Sequence, residues 1–178
     1  QMCIRDRSSC AARQLEEVTF RRNTIPVQEL FDAAGKYFRK VTKNRMEKVE
    51  LIIEPMEAKV IGDVNQLRFL FENLIDEALA VREEGVIRLQ ARKDNEYIRF
   101  LFTDTRREKS VTELNQLFYP NLARMTSGEK GELRGTEYLI CKQIIRDHDE
   151  FAGRRGCRIN AEPAEGGGFT VYFTIPRR

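Results

Sequence analysis

An α+β fold, a two-layer sandwich of a mixed sheet with about three helices on one face, is predicted by three observations. Strand-like runs come in pairs between helical runs, instead of in strict strand–helix alternation. Three stretches repeat apolar residues at helical spacing. The chain closes on two strand-like runs around the glycine-rich turn Pro163–Gly168. A length of 178 residues suits one domain.

The string Met2–Arg7 (MCIRDR) resembles a translated sequencing adapter, so residues 1–10 are set aside and the domain is expected over 11–178. On that reading the natural protein continues upstream. Glu16–Phe20 (EEVTF) is a short strand-like run. Asn23 or Thr24 is expected to cap a first helix, with Pro26 in its first turn and Val27, Leu30, Phe31, Ala34, Tyr37, Phe38 and Val41 on one face. Val49–Ile53 and Lys59–Ile61 read as strands, punctuated by Pro55 and Gly62.

Asp63 then caps the most strongly patterned helix, Val64 to Val81, with Leu67, Leu70, Phe71, Leu74, Ile75, Ala78 and Leu79 facing inward. Strands Val86–Arg92 and Tyr97–Phe102 turn around Asp94-Asn95. From Asp104 to Arg134 the pattern weakens, apart from a short apolar segment at Leu114–Tyr119. A stretch of that length without periodicity reads as a functional or mobile segment. A last helix spans Thr136–His148, and strands Cys157–Ala161 and Phe169–Ile175 close the fold.

Composition narrows the function classes. Apolar residues make up 41% and charged residues 33%, enough for a core and a solvated surface. The net charge of +3 is too mild to argue for a nucleic-acid partner, and no basic cluster with aromatic platforms is visible. No apolar run approaches a membrane span, so this segment predicts no membrane contact. The four cysteines lack metal-ligand spacing and fit a reducing compartment.

Three motifs carry a resemblance. The first is Gly62–Val81 (GDVNQLRFLFENLIDEALAV), with Asn73, Leu74, Ile75 and Ala78. The second is Glu137–His148 (EYLICKQIIRDH), and the third is Gly166–Pro176 (GGGFTVYFTIP) with Thr170. In this order and at these intervals they resemble the ATP-binding domain of sensor histidine kinases. That family stands in the wider group with gyrase, the 90-kDa heat-shock chaperones and the mismatch-repair ATPases. The resemblance covers roughly Glu16 to Arg178 and implies a Bergerat-type fold. It also implies two-component signalling, a cytoplasmic location (free or as part of a membrane-anchored sensor), and Mg-ATP as ligand. The implied partners are dimerisation helices upstream of this segment and a response regulator.

Residue by residue, the resemblance implies Asn73 and Glu77 at the Mg²⁺ pole and Asp104 as acceptor for the adenine amino group. It implies Gly135 and Thr136 at a phosphate-facing helix start, Thr170 near the adenine, and Phe118 in the lid (LFYP, Leu117–Pro120). The departures are as informative. Glu77 stands where the family has its second Asn, which puts a longer, charged ligand beside a polyanion. Ala80 stands where a basic residue often faces phosphate. Asp104 is followed by Thr105, Arg106, Arg107 and Glu108, without the two glycines that let backbone approach the nucleotide. Arg106 either hinders the nucleotide or meets a phosphate. Glu137 takes a glycine's place at the helix start, where an anion would bind.

Plainer roles stand beside these: Asp104 as a strand-end turn residue, Asn73 in a structural hydrogen bond, and Gly135 as a helix-start glycine. Gly128–Leu133 (GEKGEL) keeps glycines able to approach phosphate. His148, the single histidine, is expected to pack at a helix end and not to accept phosphate. Arg154, Arg155 and Arg158 form either a solvated loop or a basic contact surface. Two functions stay open: a pseudo-ATPase that signals by docking, and an active catalytic domain that phosphorylates a histidine on a separate dimerisation domain.

Overall fold

A computed structural model of the chain describes residues 19–120 and 136–178. The elements are β1 (Asn23–Pro26), α1 (Val27–Thr42), β2 (Val49–Ile53), β3 (Lys59–Gly62) and α2 (Val64–Leu79). They continue with β4 (Gly85–Asp94), β5 (Tyr97–Asp104), the short α3 (Val111–Asn115), α4 (Thr136–Phe151), β6 (Ile159–Pro163) and β7 (Phe169–Pro176).

Five strands form a mixed sheet in the order β2-β4-β5-β7-β6, parallel between β2 and β4 and antiparallel elsewhere. Helices α1, α2 and α4 cover one face, with α2 between the other two. The α+β two-layer expectation holds. The core is anchored by Phe31 of α1, Phe71 of α2, Phe100 of β5 and Phe173 of β7. The Phe100 and Phe173 rings stack at 4.8 Å, and Phe31 meets both Phe71 and Phe100 edge-on.

Two local expectations need correction, and one strand pairs in a way that the sequence left open. Asn23–Pro26 is a strand, and the first helix begins at Val27. Pro26 is its extended N-cap residue (φ −62°, ψ 133°), and no side chain caps the helix. The orphan Val27 N–H donates instead to Ala58 O at 2.9 Å, so a neighbouring segment does the capping. The strand-like run proposed for Glu16–Phe20 falls partly outside the described residues, and Thr19 and Phe20 are not in a strand. Finally, β3 leaves the main sheet and pairs with β1 in a separate two-stranded ribbon, joined to the end of β7 by a Val60–Arg177 bridge.

Capping of α2 ties three parts of the fold together. Asp63 Oδ1 accepts from the Asn65 and Gln66 N–H groups at 3.0 and 3.1 Å, and Oδ2 accepts from Arg21 N–H at 2.9 Å. The Asp63 N–H in turn donates to His148 Nε2 at 3.1 Å, near the end of α4. Among the described residues no helix is long and apolar enough to cross a membrane.

Candidate functional site

Several of the residues singled out by sequence lie at one end of the sheet, where β5 ends beside the C-terminus of α2 and the N-terminus of α4. Asp104, the last residue of β5, shares its sheet face with Phe100 and Phe102 and so points toward the helices. Its side chain is 2% exposed. A buried carboxylate needs compensation, and here Arg106, two residues on, supplies it completely.

Arg106 Nε donates to Asp104 Oδ1 at 2.9 Å and Nη2 donates to Oδ2 at 2.9 Å, a bidentate pair. The Arg106 backbone N–H adds a 3.0 Å bond to Oδ1. The remaining guanidinium donors turn to the end of α2 and the loop after it. Nη2 reaches Ala78 O at 2.6 Å, and Nη1 reaches Glu83 O at 2.9 Å and Val81 O at 3.4 Å. All five N–H donors are used, and the Arg106 side chain is 0% exposed. The guanidinium therefore neutralises Asp104 and caps the carbonyl end of α2. Arg107 stands further off, with Nε 4.0 Å from Asp104 Oδ2.

Glycine makes room for this arrangement. Gly85 adopts φ +139°, and a Cβ there would lie 2.7 Å from Arg106 Cγ. Gly85→Ala is expected to cost about 2 kcal/mol, from both the backbone conformation and the displaced arginine stem, as read by urea denaturation. Sequence reasoning did not single out Gly85. Its signal was present as a glycine directly ahead of a strand that pairs with the Asp104 strand.

The other predicted residues separate into two groups. Asn73 is 5% exposed, and its Nδ2 donates back along its own helix to Phe69 O at 2.8 Å. Glu77, one turn on, is half-buried beside α4. Tyr138 of α4 has its hydroxyl pKa pushed up by burial and then by the Glu77 charge. Phe118 packs edge-on against Tyr138 at 5.5 Å, and Lys142 Nζ donates to Phe118 O at 3.3 Å. The start of the lid segment is thereby pinned to α4. A reciprocal capping box between Ser110 and Glu113 begins α3 within it. Thr136 opens α4. Gly135 and Gly128–Leu133 lie outside the described residues.

Thr170 does not join this group. It is the direct cross-strand partner of Thr103, with their hydroxyls 2.8 Å apart, so both occupy the sheet face away from the helices. The residue opposite Asp104, on its face, is Phe169. With side chains alternating every residue, an offset of one moves a motif residue to the other face. Phe169 is buried and carries no group for hydrogen bonding to a base.

Tested against Mg-ATP, the base end of this site does not fit as it stands. The carboxylate that would accept the adenine amino group is buried and already held in a bidentate pair by Arg106. At the metal end the oxygen donors are Asn73 and Glu77, which suit a hard cation, but Glu137 adds a further acid near the helix start. Among the described residues no cluster of three potential metal ligands occurs.

Comparison with known proteins places this geometry. Residues 62–178 match the family described as histidine kinase-, DNA gyrase B-, and HSP90-like ATPase. The signal transduction histidine-protein kinase BaeS of Escherichia coli (strain K12) is 24% identical over 163 residues, which is 89% of this chain and 33% of BaeS. The chain thus spans about a third of the length of that relative. Among solved structures, the nucleotide-free catalytic domain of histidine kinase ThkA superposes with a TM-score of 0.68 at 19% identity, covering 88% of this chain and 97% of that one. The mycobacterial sensor histidine kinase MprB gives 0.66 at 18% identity, covering 89% and 99%. The chain therefore belongs to the histidine kinase-, DNA gyrase B- and HSP90-like ATPase family and has the fold of a histidine kinase catalytic domain.

Proposed function

We propose that this chain is the catalytic-domain module of a two-component sensor histidine kinase whose base pocket is filled by its own Arg106. It then acts in signal transduction by docking and not by turning over Mg-ATP. The observation that carries this reading is the buried bidentate pair of Asp104 and Arg106, in which every guanidinium donor is engaged. A base amino group would have to separate a buried ion pair, at about 3–5 kcal/mol. The single charge-assisted hydrogen bond gained returns about 1.5–3 kcal/mol. Loss of both glycines after Asp104, and Glu77 in place of an amide, push the same way.

Docking has a place in the fold. A groove of about 890 Å³ runs along the outer side of α2 and α4, lined by Phe69, Leu139, Ile140 and Ile144 among others. Phe69 is 49% exposed, and Gln66 Oε1 in the same lining is buried without a partner among the described residues. Thr19 and Arg21 form part of the wall. The occupant is the upstream dimerisation helices of the same polypeptide, with a response regulator as further partner. The solved complex of ThkA with response regulator TrrA supports a partner of that class.

Calorimetry tests the proposal. The unmodified chain is expected to show no saturable binding at millimolar Mg-ATP. Arg106→Gly is expected to gain binding, which Asp104→Asn then removes. Saturable binding by the unmodified chain, weakened by Asp104→Asn, would sink the proposal in favour of an active catalytic domain.

A further inference from the structure

Far from Asp104, the ribbon of β1 and β3 and the end of β7 meet the loop after α4 around a second cavity of about 370 Å³. Its lining includes Arg22, Arg154 and Arg178 and contains no acidic residue. Ile61, Ala152 and Pro176 supply its apolar part. We infer that this cavity is an oxyanion site for a small multivalent anion of the phosphate or pyrophosphate class.

The arginines are held in ways that leave donors over. Arg178 Nη1 donates to Thr24 Oγ1 at 3.1 Å, and Arg154 Nη1 meets Glu96 Oε2 at 2.8 Å. Each guanidinium has five N–H donors in a planar fork that suits a tetrahedral oxyanion. Arg22 and Arg178 have no carboxylate within ion-pair distance among the described residues. The neighbouring Arg155, by contrast, is paired with Asp149 at 3.0 Å and does not line the cavity.

The backbone is shaped around one of the three. Gly153 adopts φ +96°, a conformation that other residues rarely adopt, and its missing side chain leaves room for Arg22 Nη1, which would lie 2.6 Å from a Cβ there. Arg22 and Arg178, unpaired among the described residues, put two like charges beside the Glu96-paired Arg154 in one concavity with an apolar floor, which leaves a net positive potential that an anion would relieve. A merely solvated basic loop would not gather arginines from three separate chain segments around one cavity.

The test is calorimetric titration of the 178-residue chain with pyrophosphate at constant ionic strength. It runs beside Arg22→Gln, Arg154→Gln, Gly153→Ala and the remote exposed Lys36→Gln, each checked for native circular dichroism. Saturable one-to-one binding is expected. It should weaken about tenfold or more in each arginine variant, each losing one charge-assisted contact. It should also weaken in Gly153→Ala, which keeps every charge, and stay unchanged in Lys36→Gln. Three results would overturn the inference. They are no saturable binding by the unmodified chain, binding that survives both arginine variants (including binding at the Asp104 end), and an equal loss in Lys36→Gln, which would mark general screening. None of these depends on whether the Asp104 pocket accepts ATP.

Discussion

Replacing Arg106 by Ala is expected to lower the unfolding free energy by about 3–5 kcal/mol, because it removes one partner of a buried ion pair and strands the other. Asp104 would keep only the Arg106 backbone N–H and the distant Arg107 as compensation. Ala78 O, Val81 O and Glu83 O would lose their donor at the same time. Arg106→Lys should recover little, since an ammonium cannot reproduce a bidentate fork and three further donors. Asp104→Ala combined with Arg106→Ala should be less damaging than Arg106→Ala alone, because no buried charge then remains unpaired. Urea denaturation of these three variants together with Asp104→Ala alone completes the cycle that measures this. Losses that simply add would mean the pair is not coupled.

The second large effect is with acid. His148 is 0% exposed, accepts from the Asp63 N–H at Nε2, and has Nδ1 2.9 Å from Ile144 O, where it donates. Both nitrogens are committed in the neutral ring, and burial lowers its pKa from 6.5 to about 4. Asp63 is the charged group packed against it, and its influence is smaller and opposite. Between pH 6.5 and 4 the unfolded chain binds the proton and the folded chain does not. The stabilisation is thus whole above pH 6.5 and is lost progressively as pH falls toward 4, by up to about 3 kcal/mol. Thermal or urea unfolding at pH 7 and pH 4.5 should show this loss in the native chain. His148→Gln, which takes up no proton, should show less of it; equal acid sensitivity would contradict the assignment.

What the sequence could disclose followed from how local each signal is. The α2 helix was legible to within two residues because Asp63 caps it and its apolar face repeats without a break. Asp104 was singled out by the family resemblance, as the acid that follows an alternating strand, and the structure places it as the last residue of that strand. The strand Asn23–Pro26 was missed because its partner, β3, lies more than thirty residues away and its cap comes from Ala58, neither of which a local pattern reveals. The face that Thr170 occupies was not legible, since motif matching fixes identity but only the pairing register with β5 fixes the face. Arg106 was visible as an intruder in a glycine position, but not its direction. Blocking a base and greeting a phosphate are equal on paper until the guanidinium is seen to have every donor engaged.

The most direct measurement is the Arg106 Nε–H resonance of ¹⁵N-labelled chain, followed during titration with Mg-ATP to millimolar concentration. The expected result is a slowly exchanging signal that neither shifts nor broadens, because the guanidinium stays on Asp104. A saturable shift or loss of that signal, absent in Asp104→Asn, would show the nucleotide displacing Arg106 and would contradict the self-filled pocket.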